Sequence, residues 1–210
     1  DPNDRQRLNT AGTAADHYPL SYAVGRGVYE VHNTTTNFDG GGAFAYSKST
    51  RDRDFSDGMS NTVAMSEVKC FTPRFHDNCS LPASVTFDSL SFGGMLGTSG
   101  WSTENGHTEW VSGNTIHTGF TTTFTPNTEV LHTVGGVEYD IDATSRREAS
   151  GSGVCGGGPT YAVVTSRSHH VGIVNSMLMD GSVRSISSNL NRTTWQNLGQ
   201  RADGNVLGEF

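Results

Sequence analysis

Glycine limits the regular structure that this chain can form, because it occupies 26 of the 210 positions. That share is well above the usual value of about 7%. Each glycine inside a helix or strand costs backbone entropy, so many turns and long loops are expected. The run Thr-Thr-Thr-Phe-Thr at 121–125 favours strands over helices. We therefore predict a mainly β, or α+β, fold with long glycine-rich loops, in one globular domain over residues 1–210.

Charge and hydropathy exclude two classes of protein. The net charge is −7 and Lys and Arg form no cluster, so no nucleic-acid surface is expected. No apolar run approaches the 18 or so residues that a membrane helix needs, so no membrane segment is predicted within this sequence. The chain opens on the polar run Asp-Pro-Asn-Asp without an initiator Met, which suggests a processed or truncated chain.

Three cysteines, Cys70, Cys79 and Cys155, leave two possibilities open. Cys70 and Cys79 are close in sequence and can form a disulfide in an oxidising compartment, with Cys155 left over. Three thiols are an equal alternative, because spacing does not determine geometry. No Cys-x-x-Cys or Cys/His zinc spacing is present.

Segments that alternate, or are rich in β-branched and aromatic residues, predict where the strands lie. They are residues 43–46, 62–68, 121–125, 130–134, 137–141 and 160–165. Gly135-Gly136 would join two of them as a hairpin, because glycine tolerates the positive φ of a two-residue turn. Residues 70–108 are expected to form a loop-rich lobe, and residues 149–158 a mobile glycine-rich connector.

The last fifth of the chain carries the strongest local signals. Asp180-Gly181 predicts a hairpin between segments 174–179 and 182–186. A two-residue loop would pair Leu178 with Val183 on the buried face, and Ser176 with Ser185. A short helix is predicted around Trp195, with Asn191 or Thr193 as its cap and Gly199 at its end.

The residues of this hairpin carry a resemblance to a known family. His170, nine residues and then Asp180-Gly181 satisfy a carboxy-terminal signature, which follows Ser166-Arg167-Ser168-His169. In this respect the chain resembles the large planctomycete family of prepilin-type, pseudopilin-like proteins. Val171 stands where that family usually has Pro.

Three further blocks extend the resemblance to roughly residue 20 through the end. They are Asp57-Gly58-Met59-Ser60-Asn61-Thr62 with Glu67, then Gly106-His107-Thr108-Glu109-Trp110, then Tyr139-Asp140-Ile141-Asp142 with Arg147-Glu148. The resemblance implies structural roles for His170, Asp180, Gly181, Asp57, Gly58 and Asn61.

The resemblance also implies a fold and a function. The fold is pilin-like: an amino-terminal helix, absent or truncated in this sequence, packed on an antiparallel sheet. The function is that of a pseudopilin-like structural or interaction subunit of a type II secretion or pilus-like apparatus. Such a subunit lies outside the cytoplasm, in the periplasm or on the cell surface. Its partners are other pilin-like subunits or secretion-apparatus proteins, and a membrane helix is expected upstream.

His170 and Asp180 are the candidate catalytic residues. A His can serve as a general base and an Asp can orient it, which would suit a metal-dependent hydrolase of small esters or lactones. However, Asp180 already makes the turn, so we expect the His170 imidazole to bond to strand or turn backbone. No Gly-x-Ser-x-Gly or His-Glu-x-x-His motif is present, and no catalytic residue is assigned.

Calcium is the best ligand hypothesis from the residues. Asp140 and Asp142 place two carboxylates on one side of an extended segment, with Ser145 nearby, and Ca²⁺ prefers such oxygens. By analogy, major pseudopilins often hold calcium in a carboxy-terminal loop. The alternative is that the same carboxylates pair with Arg146 and Arg147 on a solvated surface.

Two weaker groups complete the candidates. A transition metal could be bound by His107, Glu109, His117 and His132, although their spacing fits no known motif. Sugars could stack on Trp101, Trp110 and Trp195, although burial is the usual place for tryptophan.

Overall fold

The computed structural model describes residues 7–8, 15–46, 48–148 and 155–210. Its secondary structure is mostly β with a few short helices, which confirms the predicted fold class. The strands are β1 (Arg7–Leu8), β2 (Ala15–His17), β3 (Tyr22–Gly25), β4 (Glu30–Asn33), β5 (Val63–Glu67), β6 (Thr72–Phe75), β7 (Trp101–Gly106), β8 (Gly119–Phe120), β9 (Leu131–Val134), β10 (Val137–Asp140), β11 (Asp142–Thr144), β12 (Pro159–Val163), β13 (Ile173–Leu178) and β14 (Val183–Ser187). The α-helices are α1 (Ser89–Phe92), α2 (Thr115–Thr118) and α3 (Arg192–Leu198), and 3₁₀ turns cover Asp52–Asp54, Met59–Asn61 and Gly93–Met95.

Two five-stranded sheets organise the chain. The first has the strand order β14-β13-β5-β3-β8 and the second has the order β4-β12-β11-β6-β7. Each is antiparallel except for one parallel pair, β3 with β8 and β11 with β6. The sheets are therefore mixed, whereas the resemblance implies an antiparallel sheet. No helix in the described part of the chain is long and apolar enough to cross a membrane.

Two apolar clusters form the core, and the first includes Val31 of β4 and Ala162 of β12 from the second sheet beside residues of the first sheet. Trp195 of α3 is buried in the first cluster, where its ring stacks on Phe120 with centroids 6.1 Å apart. The second cluster is rich in phenylalanine and includes Phe75, Phe87 and Phe124. Strands β6 and β7, in the segment 70–108, belong to the second sheet and supply part of this cluster. That segment therefore packs as an edge of the sheet.

Helix α3 and the glycine hairpin confirm local predictions. The Asn191 side chain accepts hydrogen bonds from the backbone N–H groups of Thr193 and Thr194, and Gly199 follows the last helical residue. Gly135 and Gly136 both have positive φ, at 60° and 84°, between the paired residues Val134 and Val137. Two consecutive positive φ values define the two-residue turn that the sequence predicted.

The register of the β13–β14 hairpin corrects the prediction. The Leu178 N–H donates to the Ser182 carbonyl at 2.9 Å, which encloses a three-residue loop instead of a two-residue one. Gly181, at φ 85°, adds the extra residue as a bulge. Val183 therefore pairs with Met177 and is 68% exposed, while Leu178 is buried. A slip of one residue moves a side chain to the opposite face.

Ser176 is also placed differently from the prediction. It pairs with Arg184, and Ser185 pairs with Asn175. The buried Ser176 hydroxyl lies 2.7 Å from the Ser66 hydroxyl of β5. A serine pair therefore does form, but it joins β13 to β5.

Two predicted strands are not formed. Residues 121–123 are buried, and Thr121 makes only an isolated bridge to Thr165. The Thr121 hydroxyl accepts from the Val164 N–H at 3.1 Å, and the Thr123 hydroxyl donates to the Val28 carbonyl. Threonine hydroxyls here bond to backbone next to the strands β4 and β12, while the N–H groups of Thr121 and Thr122 donate to the carbonyls of Val164 and Gly27. Residues 43–46 also lack a strand, because the glycines before them turn the chain.

The disulfide pairing also differs from the prediction. Cys79 is bonded to Cys155, with Cα atoms 5.4 Å apart, and the buried Cys70 is not part of this bond. The partners are separated by 76 residues in sequence. Sequence proximity suggested Cys70 with Cys79, but the tertiary fold brings the loop after β6 next to the residues before β12. Of the predicted connector 149–158, residues 149–154 lie outside the described residues.

Candidate functional site

Arg167 lies at the centre of a buried charged group. Its guanidinium binds both oxygens of Asp140 at 2.9 Å and also binds Asp142. The carbonyls of Ile141 and Thr165 accept its other N–H groups at 2.9 and 3.3 Å. These contacts use all five donors of the guanidinium. We call Arg167, Asp140, Asp142 and His107 the Arg167 network.

Asp142 is a fully buried carboxylate of the network. One oxygen accepts from the Thr165 N–H at 3.0 Å and from Arg167. Burial by itself would raise the pKa of Asp142, but the Arg167 charge and the neighbouring His107, whose Nε2 lies 3.5 Å from the carboxylate, hold that pKa below its usual value. Burial would lower the pKa of Arg167, and its two carboxylate partners raise it instead. Both groups are therefore charged in the interior.

His107 lies at the edge of the network, beside Asp142. The residue has a left-handed backbone, with φ 56°, and is completely buried. Its Nδ1 lies 2.9 Å from the His117 carbonyl, and its Nε2 lies 3.5 Å from Asp142. Because a carbonyl can only accept, Nδ1 carries a proton. This ring links the α2 turn to strand β11.

The predicted calcium ligands belong to the same region. Asp140 and Asp142 hold Arg167, and the Ser145 hydroxyl accepts from the Tyr161 N–H at 2.9 Å. The guanidinium thus supplies positive charge between the two carboxylates. Arg146 and Arg147, the alternative partners, bind elsewhere: Arg147 pairs with Asp77 at 3.0 Å. Whether calcium binds stays a prediction.

The histidine and glutamate group is only partly assembled. His117 Nε2 lies 3.6 Å from Glu109, and the His117 carbonyl accepts the hydrogen bond from His107 Nδ1. His132 is elsewhere, with Nδ1 2.6 Å from the Gly93 carbonyl. His76, which the sequence did not single out, lies with its ring 5.9 Å from that of His117. In the described ranges, no three His, Cys, Asp or Glu side chains are grouped so that they could hold a metal ion.

The tryptophans are not arranged in a row. Trp195 is buried, Trp101 is half-buried against Phe75, and Trp110 is 62% exposed.

His170 lies in a loop, residues 168–172, which we call the signature loop; Ser168 is buried and residues 169–172 are exposed. The sequence predicted that its imidazole bonds to backbone, but Nε2 instead lies 3.3 Å from the Glu67 carboxylate, and the side chain is 55% exposed. The other Glu67 oxygen accepts from the Asn175 N–H at 2.7 Å. Ser168 holds the loop by donating to the Ile173 carbonyl at 2.6 Å and accepting from the His170 N–H at 3.1 Å.

Two cavities border the signature loop. One of 170 Å³ lies beside Glu67, His169 and His170, and one of 350 Å³ lies beside Lys69, Asp140 and His170. Val171, at the loop tip, is 99% exposed. Arg167, immediately before the loop, anchors it to the interior.

Residues from four separate sequence blocks therefore meet here: Glu67, His107, Asp140 with Asp142, and Arg167 with His170. The SBP_bac_10 family model, described as "Protein of unknown function (DUF1559)", matches residues 2–193. The chain belongs to the DUF1559 family. This family is found in planctomycete-type proteins. No curated protein and no solved structure matches the chain.

In this DUF1559 domain, the two ends of the carboxy-terminal signature do not meet. Strand β13 separates His170 from Asp180, and its six residues span about 20 Å at roughly 3.3 Å each. The Asp180 carboxylate accepts from the Ser182 N–H at 2.9 Å and the Ser182 hydroxyl at 2.7 Å. These hydrogen bonds lower the pKa of Asp180. Asp180 and Gly181 therefore shape the turn and do not orient His170.

The block Asp57-Gly58-Met59-Ser60-Asn61-Thr62 of the DUF1559 domain also has a structural role. The Asp57 carboxylate accepts from the N–H groups of Asp203 and Gly204 at 2.6 and 3.1 Å. The Asn61 side chain donates to the Asp57 carbonyl at 2.8 Å, and Gly58 has φ 100°. This block fastens the carboxy-terminal tail.

Sequence reasoning assigned no role to Glu67 or Arg167. Glu67 belongs to the block that begins at Asp57, and Arg167 precedes His170 in the carboxy-terminal signature. The signal that could have found Arg167 is its position in a buried β context with two carboxylates nearby in the preceding block, because a buried Arg requires such partners.

Proposed function

We propose that this chain is an extracytoplasmic, pseudopilin-like structural or interaction subunit of a type II secretion or pilus-like apparatus, with the prepilin-type signature as part of its scaffold. The observation that carries the proposal is the division of roles within the signature. Arg167 is buried with every donor used, and Asp180 shapes a turn, whereas His170 and Val171 are presented to solvent. A firmly anchored, exposed loop suits contact with a partner better than it suits chemistry.

The disulfide supports a location outside the cytoplasm. Disulfides form and persist in oxidising compartments and are rare where glutathione keeps thiols reduced. Cys79 and Cys155 close a long loop across the second sheet. The partners proposed from the resemblance, other pilin-like subunits or secretion-apparatus proteins, occupy the same compartments.

A site-specific crosslink tests this proposal. A photoreactive amino acid replaces Val171 in the full-length protein in the cells that make it, and Val206, 94% exposed on the tail, serves as the matched control. We expect position 171 to crosslink to another pilin-like or secretion-apparatus subunit, and position 206 to give much less of that product. Protease added to cells with a permeabilised outer layer should digest the domain. Equal crosslinking at both positions, or a cytoplasmic location, would contradict the proposal.

A hydrolase of small esters or lactones is the second candidate. The half-exposed His170 paired with Glu67 favours it, because a carboxylate-oriented imidazole is a general-base arrangement. Turnover of p-nitrophenyl esters that depends on added metal, and is abolished by His170→Ala in a folded chain, would establish it. We expect no turnover above that of His170→Ala.

Calcium stabilisation is a separate part of the proposal. Its ligands would lie outside Asp140 and Asp142, since Arg167 already engages both carboxylates. Thermal melting with Ca²⁺ and with EGTA measures it: a higher melting temperature with Ca²⁺, unchanged by Mg²⁺, is expected. Superimposable melting curves would remove calcium from the proposal.

A further inference from the structure

Two pairs of aromatic side chains meet where the β9–β10 hairpin packs against β6 and β7. Phe75 pairs with Trp101 across β6 and β7, and His132 pairs with Tyr139 across β9 and β10. The Phe75 and His132 ring centroids are 4.9 Å apart, edge to face, and those of Trp101 and Tyr139 are 5.1 Å apart. These rings join two ribbons that belong to different sheets.

A cavity of 240 Å³ opens beside these rings, and we call it the aromatic pocket. Phe75, Trp101 and His132 line it, with Thr98 and Val134 also in its wall. Phe75 is buried, whereas Trp101 and His132 are half-buried and keep part of their surface open. Among the described residues in this wall, none is Asp, Glu, Lys or Arg. An uncharged ligand matches such a wall, because a charged one would lose water without gaining a counter-charge.

The Trp101 indole is held in one orientation. The Phe75 ring lies 4.9 Å away, tilted by 44°, and the Tyr139 ring lies 5.1 Å away at 63°. A ring that is already ordered costs little further entropy when a ligand packs on it. The pocket therefore offers a preformed aromatic face.

Polar groups lie beside this face. His132 Nδ1 donates to the Gly93 carbonyl at 2.6 Å, so the neutral ring keeps Nε2 as its acceptor. Thr98, which is exposed, adds a hydroxyl that can donate and accept. A ligand for this pocket has an apolar face and hydroxyl groups on its edge.

We propose that the aromatic pocket binds a single neutral sugar ring, with its C–H face on Trp101 and a hydroxyl donating to His132. A pyranose has a face of weakly positive C–H groups, which the negative face of an indole attracts. The cavity is smaller than the roughly 300–1,000 Å³ of pockets for drug-sized ligands, which favours one ring over an oligosaccharide. This binding site is independent of the signature loop and its proposed partner.

Titration of the full chain with glucose, galactose and N-acetylglucosamine, followed by calorimetry and tryptophan fluorescence, tests the proposal. We expect saturable binding of at least one sugar, with a dissociation constant on the order of 1 mM. Thr98→Arg places a long side chain at the rim without entering the core and should weaken binding at least about tenfold. Thr103→Arg, at an exposed position of β7 that does not line the pocket, is the matched control and should bind as the unaltered chain does.

Trp101→Phe should weaken binding as Thr98→Arg does, and melting curves verify that each variant is folded. Absence of saturable binding by all three sugars to the folded chain would overturn the proposal. Equal binding by Thr98→Arg and Thr103→Arg would also overturn it, since the site would then lie elsewhere. Binding of indole or phenol without sugar binding would overturn the class of ligand.

Discussion

Arg167 keeps its charge in the interior because two carboxylates and two carbonyls accept all of its N–H groups. Replacement of a buried ion pair by apolar groups can be neutral, but removal of one partner leaves the other charge without compensation. Asp142 is fully buried, so removal of its partner Arg167 should destabilise the protein strongly. The network is thus a structural junction whose members depend on one another.

Arg167→Met should destabilise the protein by about 3–5 kcal/mol, because Asp142 would stay buried without its counter-charge. Urea unfolding followed by circular dichroism measures the change. Arg53→Met is the control: Arg53 is exposed and lies 3.9 Å from Asp54, and such surface pairs contribute less than about 1 kcal/mol. Equal stability of the two variants would show that the buried carboxylates find other partners.

His76 should make stability depend on pH. Burial, and then the Arg74 charge, lower the pKa of this histidine to about 4, with Asp77 opposing and Arg147 adding to the effect. Unfolded histidine has a pKa of about 6.5, so between these values the unfolded chain binds more protons. The stabilisation is complete above about pH 6.5 and is lost as the pH falls towards 4.

We therefore expect the urea concentration at the unfolding midpoint to decrease as the pH is lowered from about 7 to about 5. The His76→Gln substitution should make this decrease smaller. Asp142, whose pKa is lowered, acts below this range: its stabilisation is lost as the pH falls below the unfolded value of about 3.9. The same pH slope in the His76→Gln variant would assign the effect to other groups.

Among the elements, the β13–β14 hairpin shows how a turn controls burial over a whole strand. The bulge at Gly181 sets the register, and the register places Leu178 inside and Val183 outside. The side chains of Leu178 and Val183 have similar hydrophobicity. Their different surroundings follow from one extra loop residue.

Leu178→Ala should cost about 2–5 kcal/mol, because it leaves a cavity in the first apolar cluster. Val183→Ala, at the exposed neighbour, should change the free energy of unfolding by less than about 0.5 kcal/mol. Gly181→Ala should cost about 1 kcal/mol or more, since alanine is strained at φ 85°. Denaturant unfolding of the three variants gives the comparison. A large loss for Val183→Ala would support the two-residue register.

For the whole molecule, the Cys79–Cys155 disulfide and the Arg167 network both tie distant parts of the chain together. The disulfide links the loop after β6 to the residues before β12. The network links β10 and β11 to the signature loop. Both constrain the second sheet, which also carries the aromatic pocket.

Removal of the disulfide by the double substitution Cys79→Ser and Cys155→Ser should cost about 2–5 kcal/mol, because the unfolded chain gains freedom across a long loop. Thiol titration of the unfolded, unreduced chain should detect one thiol per molecule, and none in the control Cys70→Ala. Three thiols in protein purified from an oxidising compartment would contradict the pairing.

Local features of the sequence determined the fold class and several elements. Glycine abundance and β-branched runs predicted a mainly β fold, and β5, β12, the Gly135-Gly136 turn and α3 follow from neighbouring residues alone. Turn, capping and strand preferences act over a few residues, so a single sequence reveals them.

Only the tertiary structure decided the cysteine pairing, the hairpin register, the fate of residues 121–125 and the partners of Arg167. Cys79 lies 76 residues from Cys155, and Glu67 lies more than a hundred from His170. Such contacts depend on where two sheets place their strand ends, which no local preference encodes. For the same reason, the carboxylates of Asp140 and Asp142 suggested a metal in the sequence and bind a guanidinium in the fold.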